Sequence, residues 1–136
     1  MTFMFKETKN IGEKNLQALY EDAEWYAYTR DMNQLEQALS NSLYVLSAWE
    51  EDRLIGLIRV IGDGLTIIYI QDILVLKSHQ NQGLATELMN RVLDKFEEVR
   101  QKVLLTDDAP NVRHFYEKNG FCSCDQGTLV AFAKMS

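Results

Sequence analysis

The residues of this chain best suited to chemistry lie between positions 71 and 86. Gln71 and Asp72 interrupt an apolar run, and Ile73-Leu74-Val75-Leu76 leads through Lys77-Ser78-His79-Gln80-Asn81-Gln82 into Gly83-Leu84-Ala85-Thr86. A carboxylate inside an apolar strand is costly unless it is paired or functional. Burial raises the pKa of such a group and fits it to accept a proton. Asp72 is therefore a candidate base, a counter-charge for a cation, or the acceptor of structural hydrogen bonds. Gly83 and Ala85 stand at a helix entrance, where backbone N–H groups lack partners and the dipole favours an anion. Small residues there let a phosphate approach those donors. Asn81 to Thr86 thus reads as a pyrophosphate cradle, with the Asn81 amide and the Thr86 hydroxyl as side-chain helpers. The plain alternative is a tight strand-to-helix turn that needs Gly83. The chain contains neither Gly-x-x-x-x-Gly-Lys nor Gly-x-Gly-x-x-Gly, which argues against a P-loop NTPase or a Rossmann dehydrogenase.

The surrounding pattern predicts the elements that hold this stretch. Phe3 to Thr8 alternates as a strand. Leu16 to Tyr28 reads as one helix, and Asp31 caps a second that carries Met32, Leu35 and Leu39. Strands follow at Ser42–Trp49 and Leu54–Ile61, then a turn at Gly62-Asp63-Gly64. Leu65–Leu76 reads as a central strand covered on both faces. Leu84, Leu88, Met89, Val92, Leu93 and Phe96 mark an amphipathic helix. Lys102–Thr106 is a short strand, and Pro110 opens a helix that closes near Gly120. Phe121 and Thr128–Ala133 supply the last strands. The expected fold class is α/β (α+β): a mixed, mostly antiparallel sheet with helices on both faces.

The chain has 136 residues, 46% hydrophobic and 25% charged, with a net charge of -6. That length suits one domain, taken as residues 1–136, with a core that needs no staples. The acidic balance disfavours a nucleic-acid partner. No apolar run reaches the roughly 18 residues of a membrane span. The first ten residues have no secretory pattern, so a cytoplasmic protein with reduced Cys122 and Cys124 is expected. His79, in a polar loop, and His114 have no partners at ligand spacing, and no metal is expected.

Gln80-Asn81-Gln82-Gly83-Leu84-Ala85 resembles the acetyl-CoA signature of the GCN5-related N-acetyltransferases, Arg/Gln-x-x-Gly-x-Gly/Ala. Phe115-Tyr116-Glu117-Lys118-Asn119-Gly120-Phe121 resembles that family's second signature, hydrophobic-Tyr-x-x-x-Gly-Phe. Both stand in the family's order, and the resemblance covers most of the chain. Asn41-Ser42, Leu54-Ile55-Gly56 and Asp72-Ile73-Leu74-Val75 look more loosely like the branch with the plant and cyanobacterial serotonin N-acetyltransferases.

The resemblance implies a splayed central strand pair and acetyl-CoA as cosubstrate. The pantetheine arm would run along Ile73, Leu74 and Val75, and a bulge near Gln71 or Asp72 would start the splay. The pyrophosphate would sit at Asn81 to Thr86, with Gln80 and Tyr116 also among the cofactor-binding residues. The reaction is direct attack of an amine on the thioester. Tyr116 matches the general acid that protonates the departing thiolate, and Asp72 is the candidate base. Gln71 stands where polyamine acetyltransferases carry a Glu, and Gln71 cannot take a proton. The family's Asn seven residues before the tyrosine falls here on Ala109, and Asn111 is the nearest substitute. Trp25, Tyr26 and Tyr28, with Gln71 and Asp72, would line the acceptor site, or serve packing alone.

The implied acceptor is a small-molecule amine. A protein N-terminus or lysine is the alternative, and a non-catalytic CoA-binding sensor is a second. Leu129-Val130-Ala131-Phe132-Ala133 would pair two copies into a homodimer.

Overall fold

The structure, a computed structural model, describes residues 3–136. It forms two compact units, Met1–Leu105 and Thr106–Ser136. The first contains β1 (Met4–Glu7), α1 (Glu13–Asp22), α2 (Tyr26–Thr29), α3 (Met32–Ser40), β2 (Tyr44–Glu50), β3 (Arg53–Gly62), β4 (Ile67–Val75), α4 (Leu84–Lys95) and β5 (Gln101–Val103). The five strands form one sheet in the order β1-β2-β3-β4-β5. The first four pair antiparallel, and β5 joins β4 in parallel.

Helices cover both faces of this sheet. A Cβ on Gly56 would lie 3.3 Å from Leu84 and Leu88 of α4. On the other face Asp72, itself bonded to Arg59, meets Tyr20 of α1. Leu57, Ile58 and Val60 of β3 are wholly buried between the layers, with Leu88, Met89 and Val92 of α4. Asp31 caps α3 as expected, accepting a hydrogen bond from the Gln34 N–H at 3.1 Å.

The expected helix from Leu16 to Tyr28 is broken into α1 and α2. Glu24 takes a left-handed φ of 62°. Its N–H donates to the Glu21 carbonyl, and the Trp25 N–H donates to that of Tyr20. This is a Schellman cap, and the Tyr20 and Trp25 rings pack edge-on at 6.0 Å, as such caps favour. The break turns the chain so that Tyr28 faces β4 rather than continuing the helix.

β4 differs from expectation as well. It alternates: Ile68, Ile70, Asp72 and Leu74 are buried, while Ile67, Tyr69, Gln71 and Ile73 are not. One face of the strand is therefore only partly covered, although Val75 at its end is buried as well.

The second unit contains α5 (Pro110–Lys118) with Pro110 in its first turn. The strands expected at Phe121 and Thr128–Ala133 are absent: no pairing partner holds either segment among the described residues. Leu129, Val130 and Phe132 are 69%, 70% and 93% exposed. Phe121 instead closes α5. The Gly120 N–H donates to the Glu117 carbonyl and the Phe121 N–H to that of Tyr116. With Gly120 at φ 93° and the Tyr116 and Phe121 rings 5.9 Å apart, this is a second Schellman cap.

Candidate active site

Asp72 is 2% exposed and carries three donors. Tyr20 Oη donates to Oδ2 at 2.9 Å, Arg59 Nε to Oδ2 at 2.8 Å, and Tyr28 Oη to Oδ1 at 2.7 Å. Gln71 Nε2 donates to Tyr28 Oη at 3.0 Å. Arg59 is itself buried, and its Nη1 reaches Ser42 Oγ at 3.3 Å. Ser42 in turn donates to the Ala38 carbonyl. Three elements, α1, α2 and β3, thus converge on one carboxylate of β4.

The electrostatics follow from this burial. Burial, reinforced by the charge of Asp72, pushes the Tyr20 hydroxyl well above its ordinary value. The same two causes raise Tyr28, and the Gln71 bond partly opposes them. Burial works against the charge on Arg59, but Asp72 outweighs it and the guanidinium is held more firmly protonated.

The Gln71 bulge is present. Arg59 pairs with Asp72 and Val60 with Ile70, leaving Gln71 as the extra residue of β4. Such a bulge bends its strand and re-aims side chains. Beyond it β4 has no partner on the β5 side among the described residues, since β5 pairs only with Ile67, Ile68 and Tyr69. Ile73, Leu74 and Val75 therefore lie along an open edge, able to pair with an extended amide chain. The Val75 carbonyl already accepts a bond from Gln80 Nε2 at 3.2 Å.

The loop after β4 carries two left-handed residues, Asn81 at φ 65° and Gly83 at φ 78°. Gly83 is the N-cap of α4 and no side chain caps that end. Gln82 and Gly83 are exposed, Leu84 is buried in the core, and Ala85 and Thr86 are half-buried. A Cβ on Gly83 would meet nothing within 4 Å. The first turn of α4 thus begins without a side-chain cap, and the unpaired amides of such an end suit an anion.

Of the three aromatic residues expected to line the acceptor site, Trp25 and Tyr28 pack together. Tyr28 packs on Tyr20 with ring centroids 5.2 Å apart and on Trp25 at 6.2 Å. Tyr26 is 55% exposed and joins no aromatic pair among the described residues. In the second unit Tyr116 is half-buried on α5. Burial raises its hydroxyl above the ordinary value, and a hydrogen bond with Thr106 partly offsets this. Asn111 is exposed in the first turn of α5.

His79 is not a surface loop residue: it is 7% exposed, with Nε2 3.1 Å from Glu50 Oε1 and Nδ1 2.8 Å from Ser78 Oγ. The one-turn helix Lys77–His79 folds it inward. Sequence reasoning passed over Tyr20, Arg59 and Ser42. The signal for Arg59 was available, since a cation inside the apolar run Leu54–Ile61 faces the same cost as Asp72. The hairpin at Gly62–Gly64 brings the two charges into register.

A protein-family model described as an acetyltransferase (GNAT) domain matches residues 7–134. The chain belongs to the GNAT acetyltransferase family. The GNAT-family acetyltransferase SP0256 of Streptococcus pneumoniae superimposes with a TM-score of 0.87 at 30% identity, over 99% of this chain and 98% of that one. The Gibberella zeae protein FG08082, whose name places it among acetyltransferases, is 33% identical over 79 residues. That match takes in 56% of this chain but only 41% of the fungal protein. The PaiA N-acetyltransferase of Thermoplasma acidophilum, solved with coenzyme A, shares the fold at a TM-score of 0.70 and 14% identity. It covers 90% of this chain and 91% of that one. The mixed five-stranded sheet with helices is the GNAT architecture, and acetyl-CoA fits as its cosubstrate.

Proposed function

We propose that this GNAT domain moves the acetyl group of acetyl-CoA to a primary amine of a small molecule by direct attack on the thioester. The observation that carries the reading is the open β4 edge leading into an uncapped helix entrance. Ile73, Leu74 and Val75 would pair with the pantetheine amides. Asn81 to Thr86, with Gln80 bracing the loop, would hold the pyrophosphate. The coenzyme A bound by the Thermoplasma relative supports this assignment.

The chemistry has two proton tasks. The amine sheds a proton as it attacks, and the leaving sulfur needs one. Asp72 is the carboxylate that receives the first. Tyr116 supplies the second, as a phenol held protonated by its burial. Asn111 would stand in for the missing family Asn on the cofactor arm. The aromatic wall of Trp25 and Tyr28, continued outward by Tyr26, would seat the acceptor beside Gln71.

Two exposed thiols, Cys122 and Cys124, support a reducing cytoplasmic setting. No described helix is long and apolar enough to cross a membrane. The exposed apolar run Leu129–Ala133 supports pairing with a second copy.

Thiol release from acetyl-CoA would be followed against arylalkylamines, polyamines, aminoglycosides, amino acids and peptides with free N-termini. Turnover of a small amine is the expected result. Turnover of peptides alone moves the reading to a protein acetyltransferase, and binding of acetyl-CoA without turnover moves it to a sensor.

A further inference from the structure

Asp72 is closed to an incoming amine. It is 2% exposed, and both of its oxygens are engaged. Tyr28 is the half-buried member of the cluster, and its hydroxyl has a defined proton balance. It donates to Asp72 Oδ1 at 2.7 Å and accepts from Gln71 Nε2 at 3.0 Å. One lone pair on that oxygen remains for another donor.

We propose that Tyr28 is the catalytic residue that meets the acceptor nitrogen and relays its proton to Asp72, while Arg59 and Tyr20 are positioning residues. This rests on the acetyl-transfer reading above and specifies its proton route. The neutral amine forms the N–C bond at the thioester carbonyl and the C–S bond breaks. The nitrogen's surplus proton passes to Tyr28 Oη as the phenol's own proton passes to Asp72 Oδ1. The sulfur takes a proton from Tyr116. Asp72 then returns its proton to solvent by the reverse path, and Tyr116 is reprotonated from solvent.

A relay suits a phenol in this setting. Burial and Asp72 push the Tyr28 hydroxyl above its ordinary value, so phenolate chemistry is disfavoured. In a relay the phenol is neutral before and after. Arg59 and Tyr20 occupy Oδ2, which leaves Oδ1 directed at Tyr28.

The test compares two matched deletions. Tyr20→Phe and Tyr28→Phe each remove one hydroxyl from Asp72, so a merely structural role would move them alike. With acetyl-CoA and the best amine of the panel, Tyr28→Phe should lower kcat about 10²-fold with acetyl-CoA affinity unchanged. Tyr20→Phe should cost less than about tenfold, the worth of one hydrogen bond. A proton inventory in mixed H₂O and D₂O should be curved for the parent protein, with two protons in flight, and linear for Tyr28→Phe. Thermal melts confirm that both variants fold. A Tyr28→Phe variant within about threefold of the parent kcat overturns the inference. So do equal losses in the two variants, or a linear parent inventory. No acetyl-CoA binding, or no turnover of any amine, removes the proposed function and this inference with it.

Discussion

Arg59 Nε lies 2.8 Å from Asp72 Oδ2, and the two side chains are only 7% and 2% exposed. Two charges so far from water are stable only as a pair. Arg59→Met should lower unfolding stability by about 3–5 kcal/mol, because it leaves Asp72 buried without its cation. The double variant Arg59→Met/Asp72→Leu should recover much of that loss. Urea unfolding of the three proteins checks this, and equal losses in single and double variants would refute it.

Gly83 holds φ 78° at the mouth of α4 with nothing near its missing Cβ. Gly83→Ala strains the backbone by about 1 kcal/mol and displaces the first-turn amides. If those amides hold the pyrophosphate, the variant weakens acetyl-CoA. Acetyl-pantetheine, which lacks the pyrophosphate, should bind the variant and the parent alike. Calorimetry with both compounds separates phosphate binding from a general loosening of the loop.

Tyr116 must be protonated to act as an acid. Burial raises its hydroxyl above the ordinary value of 10.0. The protonated form therefore persists throughout the neutral and mildly alkaline range and is lost only as pH rises beyond it. Tyr116→Phe should lower kcat about 10²-fold between pH 7 and 9 without adding an alkaline limb to the profile. A parent profile that falls near neutrality, with the fall abolished in Tyr116→Phe, would contradict this.

At the left-handed position of the two Schellman caps, Glu24 stands after α1 and Gly120 after α5. A left-handed non-glycine residue costs about 1 kcal/mol. Glu24→Gly should therefore stabilise the fold, less the small contribution lost with the exposed Glu24–Lys77 ion pair, which water screens. Gly120→Ala should destabilise by about 1 kcal/mol. Thermal denaturation should show shifts of opposite sign.

These caps also account for spacings in the sequence. In both helices a tyrosine stands five residues before an aromatic residue, with a left-handed residue between them. The Tyr-x-x-x-Gly-Phe pattern is thereby explained as a helix stop, whatever the phenol does. The glycine loop, the Asp31 cap, the Pro110 start and the amphipathic face of α4 were likewise legible, because each depends on neighbours within a turn or two. The bulge near Gln71 was expected through the family resemblance, which implies a splay of the strands there, and not from local composition.

Tertiary structure alone decided the rest. Tyr20 and Asp72 are 52 residues apart, and the cluster around Asp72 exists only once β3, β4, α1 and α2 have packed. The break at Glu24 overrides helical periodicity, because the Tyr20–Trp25 contact and the cap bonds outweigh the cost of one left-handed residue. The expected terminal strands have the composition of strands but no partner among the described residues. A strand is completed by hydrogen bonds from a neighbour, and its own residues do not supply that neighbour. Local chemistry wrote the stops, turns and faces of this protein, while the geometry of its buried charges came from elements far apart in the chain.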